Sequence, residues 1–160
     1  MSLYTLSRKN ARRRLYLADQ ALKEHQDDSS AVNLLVGRGF VASSMSRWVL
    51  GELVHGDKKR GLFIDRLEKP PSDVWEMRVT EPIVQARALG FFAEPDALVM
   101  MRMHTRGHLG DRHPTQRDNW DEAMDQCWAV WATLFPGEQP LSGVTIHVFV
   151  TENVDDFPLK

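Results

Sequence analysis

Residues 83–105 read IVQARALGFFAEPDALVMMRMHT, which is two apolar runs joined by a four-residue connection. The connection, AEPD at 93–96, contains Pro and Asp, two residues that tight turns favour. Val, Phe and Ile in the two runs are typical of strands. We therefore predict a β-hairpin with strands over 83–92 and 97–105.

A third apolar run, VWEMRV at 74–79, precedes this hairpin. Side chains alternate between the two faces of a strand, so Trp75 and Met77 share one face while Glu76 and Arg78 share the other. The three runs follow one another closely along the chain. Together they predict an antiparallel meander of three strands.

Helical patterns flank this meander on its N-terminal side. Ala11, Leu15, Ala18 and Leu22 recur at the spacing of one helical face and predict a helix over 7–25. Residues 32–36 fit either a short strand or a buried helical turn, and a helix is expected over 40–54. A shorter helical piece is expected over 60–67. Residues 1–56 are thus predicted to be a helical N-terminal extension.

The C-terminal third begins with a pattern typical of a core helix. Trp120, Trp128 and Trp131 lie on one side of a predicted helix over 119–135. The β-branched residues that follow predict an additional strand within 143–151, and the acidic residues 152–160 predict a loose tail.

These elements predict one α+β domain, with a small, mostly antiparallel sheet packed against N-terminal helices and a Trp-rich C-terminal helix. A chain of 160 residues is long enough to bury a core of its own. Cys127 is the single cysteine, which excludes an internal disulfide and favours a reducing, cytoplasmic location. The sequence has neither an apolar run of roughly 20 residues nor a phosphate-binding glycine loop, so we expect no membrane partner and no cofactor.

The charges are distributed unevenly. The chain has 20 Lys+Arg and 22 Asp+Glu, with a net charge of −2, yet only one of the basic residues follows position 117. The first part of the chain is therefore suited to a polyanionic partner. Ordinary surface charge is the alternative explanation.

The densest basic cluster lies at the end of the last hairpin strand and in the loop after it. Its members are Arg102, His104, Arg106, His108, Arg112, His113 and Arg117. Alternation places Arg102, His104 and Arg106 on one face, and Arg78 and Arg87 extend that face if the strands are in register. The alternative is a solvated loop whose arginines pair with acidic residues.

Such a cluster suits the cleavage of RNA by its own 2′-hydroxyl group. That reaction needs a base, an acid and a cation near the phosphate, and His and Arg supply these groups. The predicted catalytic residues are Arg102, His104, Arg106 and His108. The predicted substrate-binding residues are Arg78, Arg87, Arg112, His113 and Arg117. A zinc site of His104, His108 and His113 is a weaker alternative, because carboxylate and thiolate ligands are scarce nearby.

Between about 61 and 135, the order of these features resembles the RelE/HigB-like toxin superfamily, including its phage-derived branch. The features are the proline-terminated segment at 67–71, the WEMRV strand, the hairpin, the His/Arg loop and the Trp-containing helix. The resemblance implies a domain that binds and cuts messenger RNA, commonly on the ribosome, and that an antitoxin protein neutralises. It assigns this role to Arg78, Arg87, Arg102, His104, Arg106 and His108.

Three functional hypotheses follow. The first is an RNA-binding, toxin-like domain that acts as a metal-independent endoribonuclease on messenger RNA. The second is a non-enzymatic accessory protein of a mobile element, which binds protein or nucleic acid through the same basic face. The third is a metal-dependent hydrolase.

Overall fold

A computed structural model describes residues 3–5, 10–55, 62–67, 73–79, 85–112 and 116–159. The strands are β1 (Leu3–Thr5), β2 (Arg14–Ala18), β3 (Val54–His55), β4 (Leu62–Arg66), β5 (Trp75–Val79), β6 (Ala86–Glu94) and β7 (Ala97–Thr105). The helices are α1 (Asp19–Gln26), α2 (Ala31–Leu35), α3 (Arg38–Val49), α4 (Arg106–Leu109) and α5 (Asn119–Leu134). Among the described helices, none combines the length and the apolar character that a membrane span requires.

The described strands form one sheet in the order β1-β2-β7-β6-β5-β4-β3. The β2/β7 and β3/β4 pairs are parallel, and the other four neighbouring pairs are antiparallel. Strands from the N-terminal segment and from the central meander are therefore hydrogen-bonded into the same sheet. The predicted α+β class with a mostly antiparallel sheet is confirmed.

One face of the sheet is covered by the N-terminal helices and by the segment that follows α5. Trp48 of α3 and Phe149 of the C-terminal segment are fully buried against it. The ring of Phe92 lies edge-to-face with Trp48 at 5.7 Å and with Trp75 at 5.1 Å between centroids. These aromatic contacts hold the N-terminal, central and C-terminal parts of the chain together.

The opposite face is covered by α5. Phe91 of β6 contacts Trp128 at 4.7 Å and Trp131 at 5.3 Å between ring centroids, which confirms the predicted packing role of this helix. Asp118 caps the helix by accepting hydrogen bonds from backbone N–H groups of its first turn. Cys127 is buried in the same layer, where burial raises the pKa of its thiol.

The central hairpin is confirmed, and its strands contain an irregularity. The pairing of β6 with β7 shifts register between Leu89 and Gly90. A Cβ atom at Gly90 would lie 1.9 Å from the carbonyl oxygen of Val99, so only glycine permits this approach of the two backbones. Beyond the shift, Met101 packs on the α5 side while Met103 packs on the other side, although strict alternation predicts a shared face.

The predicted helix over 7–25 is wrong in its first half, because the chain forms β2 before α1 begins at Asp19. Leu15 and Leu17 are both buried, whereas Arg14, which directly precedes Leu15, is exposed. Parallel pairing with β7 satisfies the backbone of this segment and buries both leucines. Residues 1–56 are therefore not a purely helical extension, since part of them completes the sheet.

Residues 60–67 were expected to be helical, and the described part of them is the strand β4 instead. Its antiparallel pairing with β5 places the fully buried Ile64 opposite Met77. The ambiguous residues 32–36 lie mostly in the short helix α2, which is the helical one of the two alternatives. Sheet pairing overrides the local pattern in the first case.

The predicted strand within 143–151 is also wrong. This segment forms a 3₁₀ turn over Ile146–Val148, with Ile146, Phe149 and Val150 buried. Its apolar side chains fill the layer above the sheet rather than extend a sheet edge.

The tail over 152–160 is not loose where it is described. Val154 forms a parallel bridge to Val54, and Asp155 lies 2.6 Å from the ring of His55. Phe157 and Leu159 pack against the core. These contacts tie the tail to β3, which contradicts the expectation from its acidic composition.

Candidate functional site

Four arginines from three parts of the chain line one cavity of about 360 Å³ on the α5 side of the sheet. We call this cavity the arginine cleft. Its lining residues are Arg78, Arg87, Arg106 and Arg112, together with Leu67, Glu76 and Trp120. The lining carries four cationic side chains and one carboxylate, and the carboxylates of Asp65, Asp111 and Asp121 pair with its arginines from outside the lining.

The strand register brings the first members of this set together. Arg78 of β5 is directly opposite Arg87 of β6, and Arg87 is directly opposite His104 of β7. Directly opposite residues project from the same face, with Cβ atoms roughly 5 Å apart. The expectation that Arg78 and Arg87 extend the face of His104 is therefore confirmed.

Glu76 is the carboxylate at the base of the arginine cleft, and it is completely buried. It accepts a hydrogen bond from Nε of Arg78 at 2.6 Å, and its second oxygen lies 3.0 Å from Nε of Arg87. The pKa of Arg87 is lowered to about 10, mainly by burial and also by Arg78 and Arg106, while Glu76 raises it. Glu76 thus holds two guanidinium groups side by side that would otherwise repel each other.

Glu76 is the site residue that the sequence analysis missed. A signal was present, because a carboxylate stands between the apolar residues Trp75 and Met77 and shares a strand face with Arg78. A charged residue is buried in this way only when it is paired.

The other two arginines come from the loop after β7. Arg106 is the first residue of α4, which Thr105 caps, and its guanidinium stacks over Trp120 at 5.5 Å. Arg106 also lies 2.9 Å from Asp111, and Arg112 lies 3.5 Å from Asp121. Since Asp111 is fully exposed and Arg112 and Asp121 are partly exposed, these surface pairs contribute little stability. A phosphate group can therefore compete for both arginines.

His104 lies beside the arginine cleft and lines a second cavity of about 270 Å³, which we call the histidine pocket. The pocket is lined by Arg102, His104, His108, Asn119, Glu122, Ala123 and Gln126. The imidazoles of His104 and His108 are stacked, with centroids 5.4 Å apart and planes 10° apart. The pKa of His104 is lowered to about 4, mainly by burial and then by Arg102 and His108, so its ring is neutral at neutral pH.

Arg102 does not reach the arginine cleft, which contradicts its predicted convergence with Arg106. Its guanidinium lies 3.0 Å from Glu24 of α1 and donates a hydrogen bond to Gln126 of α5. Arg102 is opposite Leu89, so it lies on the α5 side of the sheet, one row away from the Arg78–Arg87–His104 row, and its contacts with Glu24 and Gln126 hold its guanidinium outside the cleft. Arg102 of β7 therefore contacts both α1 and α5.

Two further predicted residues lie elsewhere. Arg117 pairs with Asp125 on the exposed side of α5, and it lines neither cavity. His113, which was also a candidate zinc ligand, lies outside the described residues. Within the part of the chain that the structure describes, no three His, Cys, Asp or Glu side chains cluster as a metal site.

The predicted set therefore divides between two adjacent cavities. Arg78, Arg87, Arg106 and Arg112 line the arginine cleft, whereas Arg102, His104 and His108 line the histidine pocket. Comparison of the chain with protein-family models, with curated proteins and with solved structures found no match. The resemblance to RelE/HigB-like toxins stays a prediction.

Proposed function

We propose that this chain binds RNA through the arginine cleft and cleaves it without a metal ion. The observation that carries the proposal is the arrangement of four arginines around one cavity with a single carboxylate in its lining. Arginine presents a planar fork of donors that matches phosphate oxygens. Arg106 and Arg112 pair with Asp111 and Asp121 at the surface, where ion pairs are weak, so a phosphate group of an RNA chain can displace these carboxylates.

The cleavage step follows from this placement of charge. The 2′-oxygen forms a bond to phosphorus while the bond from phosphorus to the 5′-oxygen breaks. The 2′-hydroxyl gives its proton to a base, and the leaving oxygen receives a proton from an acid. The products are a 2′,3′-cyclic phosphate and a 5′-hydroxyl, and the arginines stabilise the charge that develops on the phosphate oxygens.

Two histidines next to the cleft have different roles in this proposal. His108 is exposed on α4, two residues from Arg106, and is the side chain that we assign to proton transfer. His104 is buried and has a pKa of about 4, so at neutral pH it has no proton to donate as imidazolium. We assign His104 and Glu76 to positioning: the first stacks on His108, and the second holds Arg78 and Arg87.

The test compares two double variants of equal charge change. Arg106→Ala with Arg112→Ala removes two cleft arginines, and Arg14→Ala with Arg117→Ala removes two exposed arginines outside it. Binding to a single-stranded RNA is measured over a series of salt concentrations. Each phosphate contact contributes a slope of about −0.7 in log affinity against log salt, so we expect the cleft variant to reduce the slope by about 1.4.

Cleavage of the same RNA is followed in the presence of a chelator. We expect the wild type and the control variant to form cyclic phosphate ends, and the cleft variant to lose most of this activity. An RNA with a 2′-deoxy substitution at the cleaved position is expected to stay intact. Equal losses in the two double variants, or no binding by the wild type, contradict the proposal.

Binding without cleavage is the second candidate function. The burial of Glu76 and His104 favours it, because two of the titratable groups nearest the cleft are withdrawn from solvent. A wild type that binds RNA through the cleft arginines but leaves it intact supports this accessory role over the ribonuclease.

A further inference from the structure

The histidine pocket differs in chemistry from the arginine cleft, although the two are close neighbours. His104 of the pocket is directly opposite Arg87 of the cleft, and α4 contributes Arg106 to one cavity and His108 to the other. A ligand that fills both cavities therefore passes across α4. A volume of about 270 Å³ is several times that of a water molecule and suits a planar ring.

The positive charge of this pocket is already neutralised. Its one arginine, Arg102, lies 3.0 Å from Glu24 and also donates a hydrogen bond to Gln126. Glu122 adds a second carboxylate to the surroundings. The histidine pocket is thus unsuited to a phosphate group, in contrast to the cleft beside it.

The polar groups that the pocket offers a ligand are mainly acceptors. Glu122 accepts a hydrogen bond from Gln126 at 3.2 Å through one oxygen; among the described residues this leaves the second lone pair of that oxygen, and the other oxygen, for a ligand. The Asn119 amide nitrogen donates to the carbonyl oxygen of His108 at 2.7 Å, so its oxygen is the atom that it offers a ligand. Nε2 of His104 is buried and has no hydrogen-bond partner among the described residues. A buried polar group of this kind is normally satisfied by a ligand or by water.

A ligand for this site is a flat, uncharged ring with hydrogen-bond donors next to each other. Guanine has this arrangement, because its N1–H and its 2-amino group are adjacent and match the two oxygens of a carboxylate. Adenine and cytosine place an acceptor nitrogen beside their amino group, which a carboxylate repels. The exposed ring of His108 adds a surface on which a base can stack.

We propose that the histidine pocket binds a guanine base of the RNA whose phosphate lies in the arginine cleft. This inference rests on the proposed RNA binding, and it adds the base that the protein selects. Glu122 reads the Watson–Crick edge of the guanine, and His108 stacks on its ring.

The experiment uses the full chain and three single-stranded RNAs of equal length that differ at one central base, which is guanine, hypoxanthine or adenine. We expect the wild type to bind the guanine RNA about 10-fold more tightly than the adenine RNA, as one bidentate base contact provides. Hypoxanthine lacks the 2-amino group and should be intermediate. Cleavage, where it occurs, should follow the same order.

Glu122→Gln is the test variant and Asp125→Asn is the matched control. Both remove one exposed carboxylate of α5, but Asp125 pairs with Arg117 outside the pocket. We expect Glu122→Gln to reduce the preference for guanine to about two-fold or less with an unchanged salt slope, while Asp125→Asn keeps the full preference.

The possible failures are distinguishable. Equal wild-type affinity for guanine and adenine RNAs, or a preference that persists in Glu122→Gln, overturns the guanine site and leaves RNA binding in place. A wild type that binds none of the three RNAs overturns the proposed function and the guanine site together.

Discussion

His104 is a histidine whose environment favours the neutral ring. It is buried, it stacks on His108, and Arg102 lies nearby, so its pKa falls from the usual 6.5 to about 4. Histidine usually changes its charge near neutral pH, whereas this one does so only in acid. Of the two stacked histidines, His104 is therefore buried and neutral at neutral pH, whereas His108 is exposed to solvent.

The lowered pKa of His104 predicts a pH dependence of stability. Between about pH 4 and 6.5 the unfolded chain binds a proton at this side chain that the folded chain excludes. The free energy of unfolding should therefore decrease as the pH falls through this window, by up to about 3 kcal/mol.

Urea denaturation at several pH values between 4 and 7 measures this effect. We expect the wild type to lose about 3 kcal/mol more than His104→Gln over that interval, because the variant lacks the titrating group. Parallel stability curves for the two proteins contradict the pKa assignment.

At the scale of elements, the pairing of β6 with β7 positions residues of both cavities, with Arg87 of the arginine cleft opposite His104 of the histidine pocket. Leu89 is opposite Arg102, but Gly90 is opposite Met100, so Met101 is the extra residue on β7. At Gly90 an added Cβ would lie 1.9 Å from the carbonyl oxygen of Val99. The shift places Arg102 opposite Leu89 on the α5 side of the sheet, and its contacts with Glu24 and Gln126 hold it outside the arginine cleft.

Gly90→Ala and Gly107→Ala form a matched pair of substitutions in neighbouring elements. A methyl group at Gly90 meets the backbone of Val99 at 1.9 Å, which cannot yield as a side chain can, so we expect a loss of at least about 3 kcal/mol. Gly107 in α4 has no atom within 4 Å of an added Cβ, and alanine there should be neutral or stabilising by up to about 1 kcal/mol.

Both changes are checked by urea denaturation, with soluble yield as a second measure for Gly90→Ala. Similar stabilities of the two variants contradict the close approach of β6 and β7.

At the scale of the whole molecule, Arg13 joins distant parts of the chain. Its buried guanidinium donates hydrogen bonds to the carbonyl oxygens of Glu52 at 2.8 Å and Asn153 at 3.2 Å, and it stacks over Trp48 at 4.8 Å. These contacts fix the C-terminal segment beside α3 and β2. They explain why an acidic tail is ordered against the fold.

Arg13→Lys should weaken this connection, because one ammonium group cannot reproduce the planar fork and the stacking. We expect a loss of about 1–3 kcal/mol in the free energy of unfolding and faster hydrogen exchange of the Asp155 amide, which donates to the carbonyl oxygen of Val54. Arg12→Lys changes the neighbouring exposed arginine and should alter stability by no more than about 0.5 kcal/mol. Equal effects of the two substitutions contradict the role given to Arg13.

The local sequence was sufficient for the central hairpin, for the strand that contains Trp75 and for the Trp-rich helix. One periodicity extends over the strand and the helix, and the hairpin follows from two apolar runs around turn residues, although the register shift at Gly90 interrupts its alternation. The same alternation correctly placed Arg78, Arg87 and His104 on one face. These features follow from contacts between residues that are near one another in sequence, so the pattern alone predicts them.

Tertiary structure decided the remaining features. The segment around Leu15 has helical spacing but becomes a strand because β7 offers it a partner, and the segment around Ile146 is β-branched but fills a core layer instead. Strand register places Glu76 beside Arg87, which makes Glu76 a residue of the site. The ion pair with Glu24 of α1 holds Arg102 outside the arginine cleft. The physical reason is that pairing and burial with distant segments contribute more free energy than local propensity, and a single sequence does not specify which distant segments meet.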